Sequence, residues 1–479
     1  MKTVSRKLLS MILAFIIAFS AVLPSFAAFE KLAWEVMWDK EYNNGVILFP
    51  GSNETEMNVS WYHTEEAEPK VILATEDSFL EPETFTGYCI KTAEGDYSNK
   101  VTLTGLEAGE KYFYRCISGS FESTVYSFET DADSSDFSAC YVTDIHISYS
   151  ADDADCLKNT ASTMNSLADT VVNKHNVSLF LSTGDQASEG REDEYKALSS
   201  VLSFKNVPLA TTIGNHDRKG VAYKTFTNMP NEQDNASVKS YIGSNYWFRK
   251  GDALFLVVDS NNASGADHRK FIKQAVKANP DAKWKIMMAH HDLYSGRIPH
   301  RESENALLRM IWGPLCDEFG IDLMLLGHSH YYTVSNVLYN NKTSQPLSQS
   351  MNDPTGTVYM VSGSITRPRD DPEEELGLNS DKWIGAWNKP NDKQIYNILD
   401  FSGDTLTVSS YYNGESTAFN EYSITKTTNE GGHPKQIIGN PWDAFVRVIG
   451  TIYAHFNNIG VYSDLKEDGY DVNYFDVVF

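Results

Sequence analysis

From residue 137 onward, apolar runs of strand length alternate with longer stretches of helical periodicity, and no other feature restricts the fold as much. "FSACYVTDIH" (137–146) precedes a helical stretch that runs to His175, and "VSLFLSTGD" (177–185) precedes the helical "REDEYKALSSVLS". "PLATTIGNHD" (208–217) leads to the hairpin-like "YWFRKGDALFLVVDS" and the helical "DHRKFIKQAVKAN". "KWKIMMAHH" (283–291) precedes the helical "ENALLRMIWGPLCDEFG", after which comes "IDLMLLGHSH" (321–330). Alternation of this kind predicts a layered α/β domain. The strand-like "TVYMVSGS", "IYNILDFSG" and "TLTVSSYY" extend it, giving a domain over 137–425.

These runs end in an unusual way. Strand ends usually carry Gly, Asn, Asp or Pro for turning. Here they read Asp144-Ile145-His146, Gly184-Asp185, Gly214-Asn215-His216-Asp217, His290-His291 and Gly327-His328-Ser329-His330. On an extended chain residues i and i+2 point the same way, so His328 and His330 converge. Six of the twelve histidines fall in these short motifs, at the strand edges where layered α/β folds place ligand sites. Any one motif alone is an ordinary turn or a solvated pair; five at successive strand ends form a set. Imidazole and oxygen donors without thiolate suit divalent Mn, Fe or Zn. The inventory is too large for one tetrahedral zinc, and two metals sharing a carboxylate would use it.

Ahead of this domain, residues 30–133 read as all-β. "NVSWYH", "KVILAT", "TFTGYCIKT", "KVTLTGL", "KYFYRCIS" and "VYSFET" are separated by turn formers, which indicates an antiparallel sandwich. The polar "DADSSD" (131–136) links the two parts. Residues 1–27 read as a secretory signal peptide: Lys2, Arg6 and Lys7, then "LLSMILAFIIAF", then small residues at Ser25 and Ala27. The expectation is a secreted chain with no stable membrane insertion after cleavage. Five cysteines without a C-x-x-C pair argue against a thiolate zinc site. Cys89 and Cys116 lie in strand-like runs, and pairing across the sandwich and burial as free thiols are both open. A formal charge of −24 disfavours nucleic-acid polymers and anionic membranes as partners. At the far end, 426–479 read as a linker and a tail in which Trp442, Phe445, Val446, Ile449, Ile452, Tyr453 and Phe456 follow helical spacing. That stripe suits a helix docking on the main body or on a partner.

The ordered pattern D-x-H, G-D, G-N-H-D, H and G-H-x-H resembles the calcineurin-like metallophosphoesterase family over about residues 137–370. The domain before it, through "VTLTGLEAGEKYFYRC", is similar to fibronectin type III domains and to the N-terminal domain of purple acid phosphatases. The resemblance implies an α/β/β/α metallophosphoesterase sandwich preceded by an all-β fibronectin-like sandwich. It implies that Asp144, His146 and His330 bind a first metal, that Asn215, His290 and His328 bind a second, and that Asp185 bridges them. It places His216 near the leaving group, with Asp217 orienting its ring. Two departures matter. Purple acid phosphatases carry a tyrosine three residues after the bridging aspartate, where this chain has Ser188, and their first motif is usually Asp-x-Gly, where this chain has His146. Both argue for two divalent ions (Mn, Fe or Zn) and against a ferric, purple centre.

Two adjacent cations lower the pKa of a bridging water, make hydroxide available near neutral pH and neutralise charge in an in-line displacement. The expected function is therefore a secreted dinuclear-metal phosphoesterase acting on a phosphate-ester substrate. Near His290, Arg297 and His300, with Arg301, form a basic cluster with two readings, a holder for the substrate phosphate or an ordinary solvated loop. A nucleotide-type phosphodiesterase is the alternative within the class. From another class, the alternative is a surface- or carbohydrate-binding protein with a non-catalytic metal site.

Overall fold

A computed structural model describes residues 38–132, 135–148, 155–294, 302–368, 382–387, 393–434 and 441–474, with Val36 and Val477. The expected signal peptide lies outside them. The first nine strands are β1 (Ile47–Pro50), β2 (Glu56–His63), β3 (Lys70–Ala74), β4 (Glu83–Thr86), β5 (Tyr88–Lys91), β6 (Tyr97–Thr104), β7 (Lys111–Ser118), β8 (Phe121–Glu122) and β9 (Tyr126–Glu129). They form one sheet in the order β1-β2-β6-β5 and a second in the order β4-β3-β7-β8, with β9 on β7. Alternation along β7 turns Tyr112, Tyr114 and Cys116 inward, onto Trp61, Val71 and Leu103. "TFTGYCIKT", read as one strand, breaks at Gly87: β4 pairs with β3 in one sheet and β5 with β6 in the other. A Cβ at Gly87 would lie 1.9 Å from the Lys100 carbonyl oxygen, so the crossing requires glycine. The break puts Cys89 and Cys116 in opposite sheets, and both are free thiols. The disulfide left open from sequence does not form.

Beyond it lie β10 (Asp136–Val142), β11 (Leu179–Ser182), β12 (Leu209–Thr211), β13 (Tyr246–Lys250), β14 (Ala253–Val257), β15 (Trp284–Met288), β16 (Leu323–Leu326), β17 (Thr333–Ser335), β18 (Val337–Tyr339), β19 (Lys342–Gln345), β20 (Ser350–Asn352), β21 (Val358–Val361), β22 (Ile384–Trp387), β23 (Ile395–Ser402), β24 (Thr405–Tyr412) and β25 (Asn420–Thr425). The helices used below are α1 (Cys156–His175), α2 (Glu192–Ser199), α3 (Ala222–Phe226), α4 (Gly265–Ala278), α5 (Glu302–Phe319) and α6 (Pro441–Glu467). Two seven-stranded sheets run β12-β11-β10-β23-β24-β25-β20 and β13-β14-β15-β16-β21-β17-β22. β10, β11 and β12 are parallel in the first; β14, β15, β16 and β21 are parallel in the second. The sheets face each other across Phe137, Phe255, Trp284 and Phe401, with Phe137 stacked on Phe401 at 4.4 Å. α1 and α2 cover the outer face of one sheet, α4 and α5 that of the other, giving four layers. The central parallel strands β11, β12, β14 and β16 are buried on both faces, which places one apolar layer between the sheets and another beneath α4 and α5.

The N-terminal sandwich is seated on this body by buried polar contacts. Lys205 forms a fully buried ion pair with Glu41 at 3.3 Å and donates to the Val46 carbonyl at 3.0 Å, while Tyr114 donates to the Lys205 carbonyl at 2.8 Å. The Asn228 amide donates to the Val59 and Val101 carbonyls.

The tail forms α6, but not with the face expected. Phe445, Ile449, Ile452, Tyr453 and Phe456 are all exposed, Phe456 by 67%. The face against the body is Gly450, Ala454 and Asn458, because the helix backbone comes so close that only small residues fit: a Cβ at Gly450 would lie 2.1 Å from the Ala263 carbonyl oxygen. Among the described residues, no helix is long and apolar enough to cross a membrane.

Candidate metal centre

Five parallel strands, β10, β11 and β12 from one sheet and β15 and β16 from the other, deliver the strand-end motifs to one place. The backbone bends sharply where they arrive. Asp144, His146, Asp185, His328 and His330 all take positive φ, from 46° to 72°. Such left-handed backbone costs on the order of 1–3 kcal/mol per non-glycine residue, and its concentration here is typical of functional sites. The preceding glycines make room. Gly184 has φ +99°, and a Cβ there would lie 2.5 Å from His290 Nδ1; at Gly327 it would lie 2.1 Å from Thr143 Oγ1 and 2.7 Å from Asp144 Oδ2.

The side chains form two sets with a third between them. Asp144, His146 and His330 converge in one and Asp185, His290 and His328 in the other, while His216 joins His146 and Asp185 across the middle; ligand atoms within each group lie within 4.8 Å of one another. Asp185 joins them, its Oδ2 lying 3.6 Å from His146 Nε2 and 3.2 Å from His290 Nε2. Asn215 Oδ1 stands 3.0 Å from His290 Nε2, and His328 Nδ1 stands 3.2 Å from that same nitrogen. His291, the neighbour of His290, turns its Nδ1 to Ser260 Oγ at 2.8 Å instead.

Backbone carbonyls fix the tautomers. His290 Nδ1 donates to the Thr183 carbonyl at 2.8 Å and His330 Nδ1 to that of Arg367 at 3.0 Å. Their Nε2 lone pairs therefore face inward. His330 Nε2 then lies 3.2 Å from both His146 Nε2 and Asp144 Oδ1, and Asp144 Oδ1 is buried and receives no hydrogen bond from the described residues. Acceptors gathered this closely repel one another unless a cation lies among them, and a divalent ion with N/O ligands fits that donor set. The titration behaviour agrees. Burial pushes the Asp144 carboxyl up, but the His330 ring outweighs it and holds the carboxyl down at about 2. Burial pushes His146 down to about 3. Burial opposes the proton on His290 too, but the Asp185 carboxylate raises that ring to about 9, so beside Asp185 its Nε2 holds either a proton or, in the proton's place, a metal ion.

Residues 139–332 match the model of the calcineurin-like phosphoesterases, and residues 43–130 that of the purple acid phosphatase N-terminal domain. The chain thus carries a calcineurin-like phosphoesterase domain behind a purple acid phosphatase-type N-terminal domain. A purple acid phosphatase of Glycine max is 26% identical over 173 residues, 33% of this chain and 36% of that protein, so the match spans about a third of each. Among solved structures, the purple acid phosphatase PPD1 of yellow lupin (Lupinus luteus) superposes with a TM-score of 0.66 at 15% identity, covering 83% of this chain and 77% of that one. PhoD superposes with a TM-score of 0.55 at 13% identity, covering 88% and 98%. These two show a shared fold. The family is one of metal-dependent phosphoester hydrolases.

The rest of the site departs from the sequence reading in one respect. Asp217 does not orient His216. The His216 ring stacks edge-on to His146 at 4.7 Å, and its Nδ1 donates to the Ser188 carbonyl at 2.7 Å. Asp217 is directed inward, accepting from the backbone of Gly214 (2.8 Å) and Ala187 (3.1 Å) and from the Tyr195 hydroxyl (2.7 Å). Burial, and then the Asp185 charge, push its carboxyl up to about 7. The reason is directional: consecutive residues at this turn point apart, and a carboxylate buried at the loop base satisfies amides that nothing else reaches. Arg297 and His300 lie outside the described residues. The carbonyls of Thr183, Ser188 and Arg367 had no sequence signal, since every residue carries one.

Proposed function

We propose that the chain is a secreted phosphoric ester hydrolase working through two divalent metal ions. Supporting it most directly is the pair of buried donor sets that share Asp185 and carry inward-facing lone pairs fixed by backbone carbonyls. Asp144, His146 and His330 would hold one ion, Asn215, His290 and His328 the other, and Asp185 both. Bound, the ions supply a water of lowered pKa and neutralise the phosphoryl oxygens. The protein's share is to position and to move a proton. His216, half-buried at the mouth of the cluster with its Nδ1 proton held by Ser188, has its Nε2 available to donate to the departing alcohol oxygen. Asp217 and Tyr195 hold the Gly214–Asn215 turn that carries Asn215.

Metal analysis of the purified protein beside a panel of mono- and diester substrates tests this. The expected result is about two metal ions per chain, with hydrolysis abolished by chelation and restored by Mn, Zn or Fe(II). Full activity in protein shown to be metal-free would refute it.

A further inference from the structure

A cavity of ≈ 300 Å³ adjoins the metal cluster, with Asn215, Ser260 and His291 in its lining. One wall is the C-terminal helix α6, through Tyr453, Asn457 and Gly460. This wall is fixed in place. Besides the close approach at Gly450, Asn458 is buried in a polar network: its Oδ1 accepts from Arg218 Nη2 and from the Tyr241 hydroxyl, both at 3.1 Å, and its amide donates to Ser240 Oγ at 3.1 Å. Arg218, three residues after Asn215, stacks over Tyr241 at 4.3 Å and pairs with Asp259 at 3.6 Å. The loop that carries Asn215 and the helix are thus held in register with each other.

We propose that this cavity holds the alcohol part of the phosphate ester and that α6 therefore sets which esters the enzyme prefers. The inference rests on the phosphoesterase reading of the metal centre. Position supports it: a phosphoryl group at the cluster adjoins Asn215, and that residue also lines the cavity. Size supports it: the volume is that of a small-ligand site, far larger than a methyl or ethyl group needs. The lining indicates the chemistry. Tyrosine rings and the aliphatic Leu307, Leu308 and Val461, interspersed with asparagine amides and the charged Arg218, Lys219 and Asp464, suit a flat, ring-bearing alcohol with hydrogen-bonding groups, of nucleoside size.

The test compares kcat/KM for adenosine 5′-monophosphate with kcat/KM for methyl phosphate. Gly460→Trp narrows the cavity, and a Cβ at Gly460 meets no atom within 4 Å, so the fold tolerates it. Replacing a helical glycine also favours the helix. The wild-type ratio is expected to favour the nucleotide, and Gly460→Trp to lower that ratio about tenfold, through KM, the signature of lost substrate binding. Tyr453→Ala is expected to lower it as well. Ile452→Ser with Phe456→Ser, on the exposed face away from the cavity, is expected to leave both rates unchanged. A folded, metal-loaded Gly460→Trp with an unchanged ratio would overturn the assignment of the cavity while leaving the phosphoesterase reading intact. Failure of the metal-loaded wild type on every ester would overturn both.

Discussion

The Nδ1 of His216 lies 2.7 Å from the carbonyl oxygen of Ser188, and that contact assigns the ring's protons. A carbonyl only accepts, so Nδ1 carries hydrogen and Nε2 is the atom left for proton exchange. A general acid typically contributes about 10²–10⁴-fold. The contribution depends on the ester: an alkyl alcohol needs the proton, while an activated aryl alcohol leaves without much help. His216→Ala is expected to lose most on alkyl phosphates and least on aryl phosphates, with metal content unchanged. Rates on the two ester types, with metal measured in both proteins, check this; an equal loss on both removes the acid role.

Asp217 predicts a different phenotype from its neighbour. Its two carboxylate oxygens accept from Gly214 N, Ala187 N and Tyr195 OH. An asparagine offers one oxygen and turns an NH₂ toward donors, so at least one buried N–H or O–H is left unmet, at about 1–3 kcal/mol. Asp217→Asn is expected to lower the melting temperature and weaken metal retention through the Gly214–Asn215 turn. The ratio of alkyl to aryl rates should stay at the wild-type value. A selective alkyl loss like that of His216→Ala would restore Asp217 as the orienting partner.

These two residues show where the sequence was readable. Side chains of uncommon type at strand ends, such as Asp144, Asp185 and His328, leave a visible pattern because strand period and strand termination both fix their direction. Partners supplied by main chain, such as the Ser188 carbonyl, leave none. Adjacency misled for Asp217, because neighbours at a turn point apart. The α6 stripe marked a helix but not which face meets the body: close backbone approach at Gly450 and Ala454 outweighed the bulk of Phe445 and Phe456, and of the two docking readings the stripe does not serve the one on the main body. At Gly87 the strand-like run continued across a point where the chain changes sheets, and only the tertiary contact with Lys100 defines that break.

Glu194 predicts a pH dependence of stability. Its buried carboxylate accepts from the backbone N–H groups of Ser188, Glu189 and Arg191, holding the loop that carries Ser188. Burial outweighs those bonds and pushes the carboxyl up to about 7 from an ordinary value of 4.5. A raised carboxyl pKa means that the folded state binds the proton more tightly than the unfolded one. The associated stability is fully present below pH 4.5 and is lost as pH rises through about 7. Glu194→Gln removes the titration, so the fall in denaturation midpoint between pH 5 and pH 8 should be smaller than in the wild type. An unchanged slope would count against the raised pKa.

Ser188 also bears on colour. Its hydroxyl is buried with no hydrogen-bond partner among the described residues, at the position where purple acid phosphatases place an iron-binding tyrosine; its carbonyl holds His216, whose ring meets that of His146 edge-on. Loaded with Fe(III), the protein is expected to show no tyrosinate-to-iron band in the visible spectrum. Ser188→Tyr in the same protein is the complementary measurement, since a phenolate introduced there has a route to the metal. A purple wild-type protein would contradict the imidazole-for-phenolate reading.

The last prediction separates the shared ligand from the rest. Asp185 is the one carboxylate that faces both donor sets: its Oδ2 lies near His146 and His290, while its Oδ1 accepts from His216 N at 2.8 Å. Asn at this position keeps the shape and can keep the backbone hydrogen bond, but removes the charge that both ions would share. Loss of a single imidazole, as in His330→Ala, leaves one set intact. Asp185→Asn should therefore lower occupancy of both metal positions, whereas His330→Ala should chiefly empty one. His175→Ala supplies the control: that ring packs against Tyr396 and Tyr411, outside both donor sets, and its loss should leave metal content unchanged. Metal titration of the three variants, with circular dichroism confirming the fold, gives the answer. If Asp185→Asn empties no more than one position, Asp185 belongs to one ion alone, and the bridge would have to come from another group.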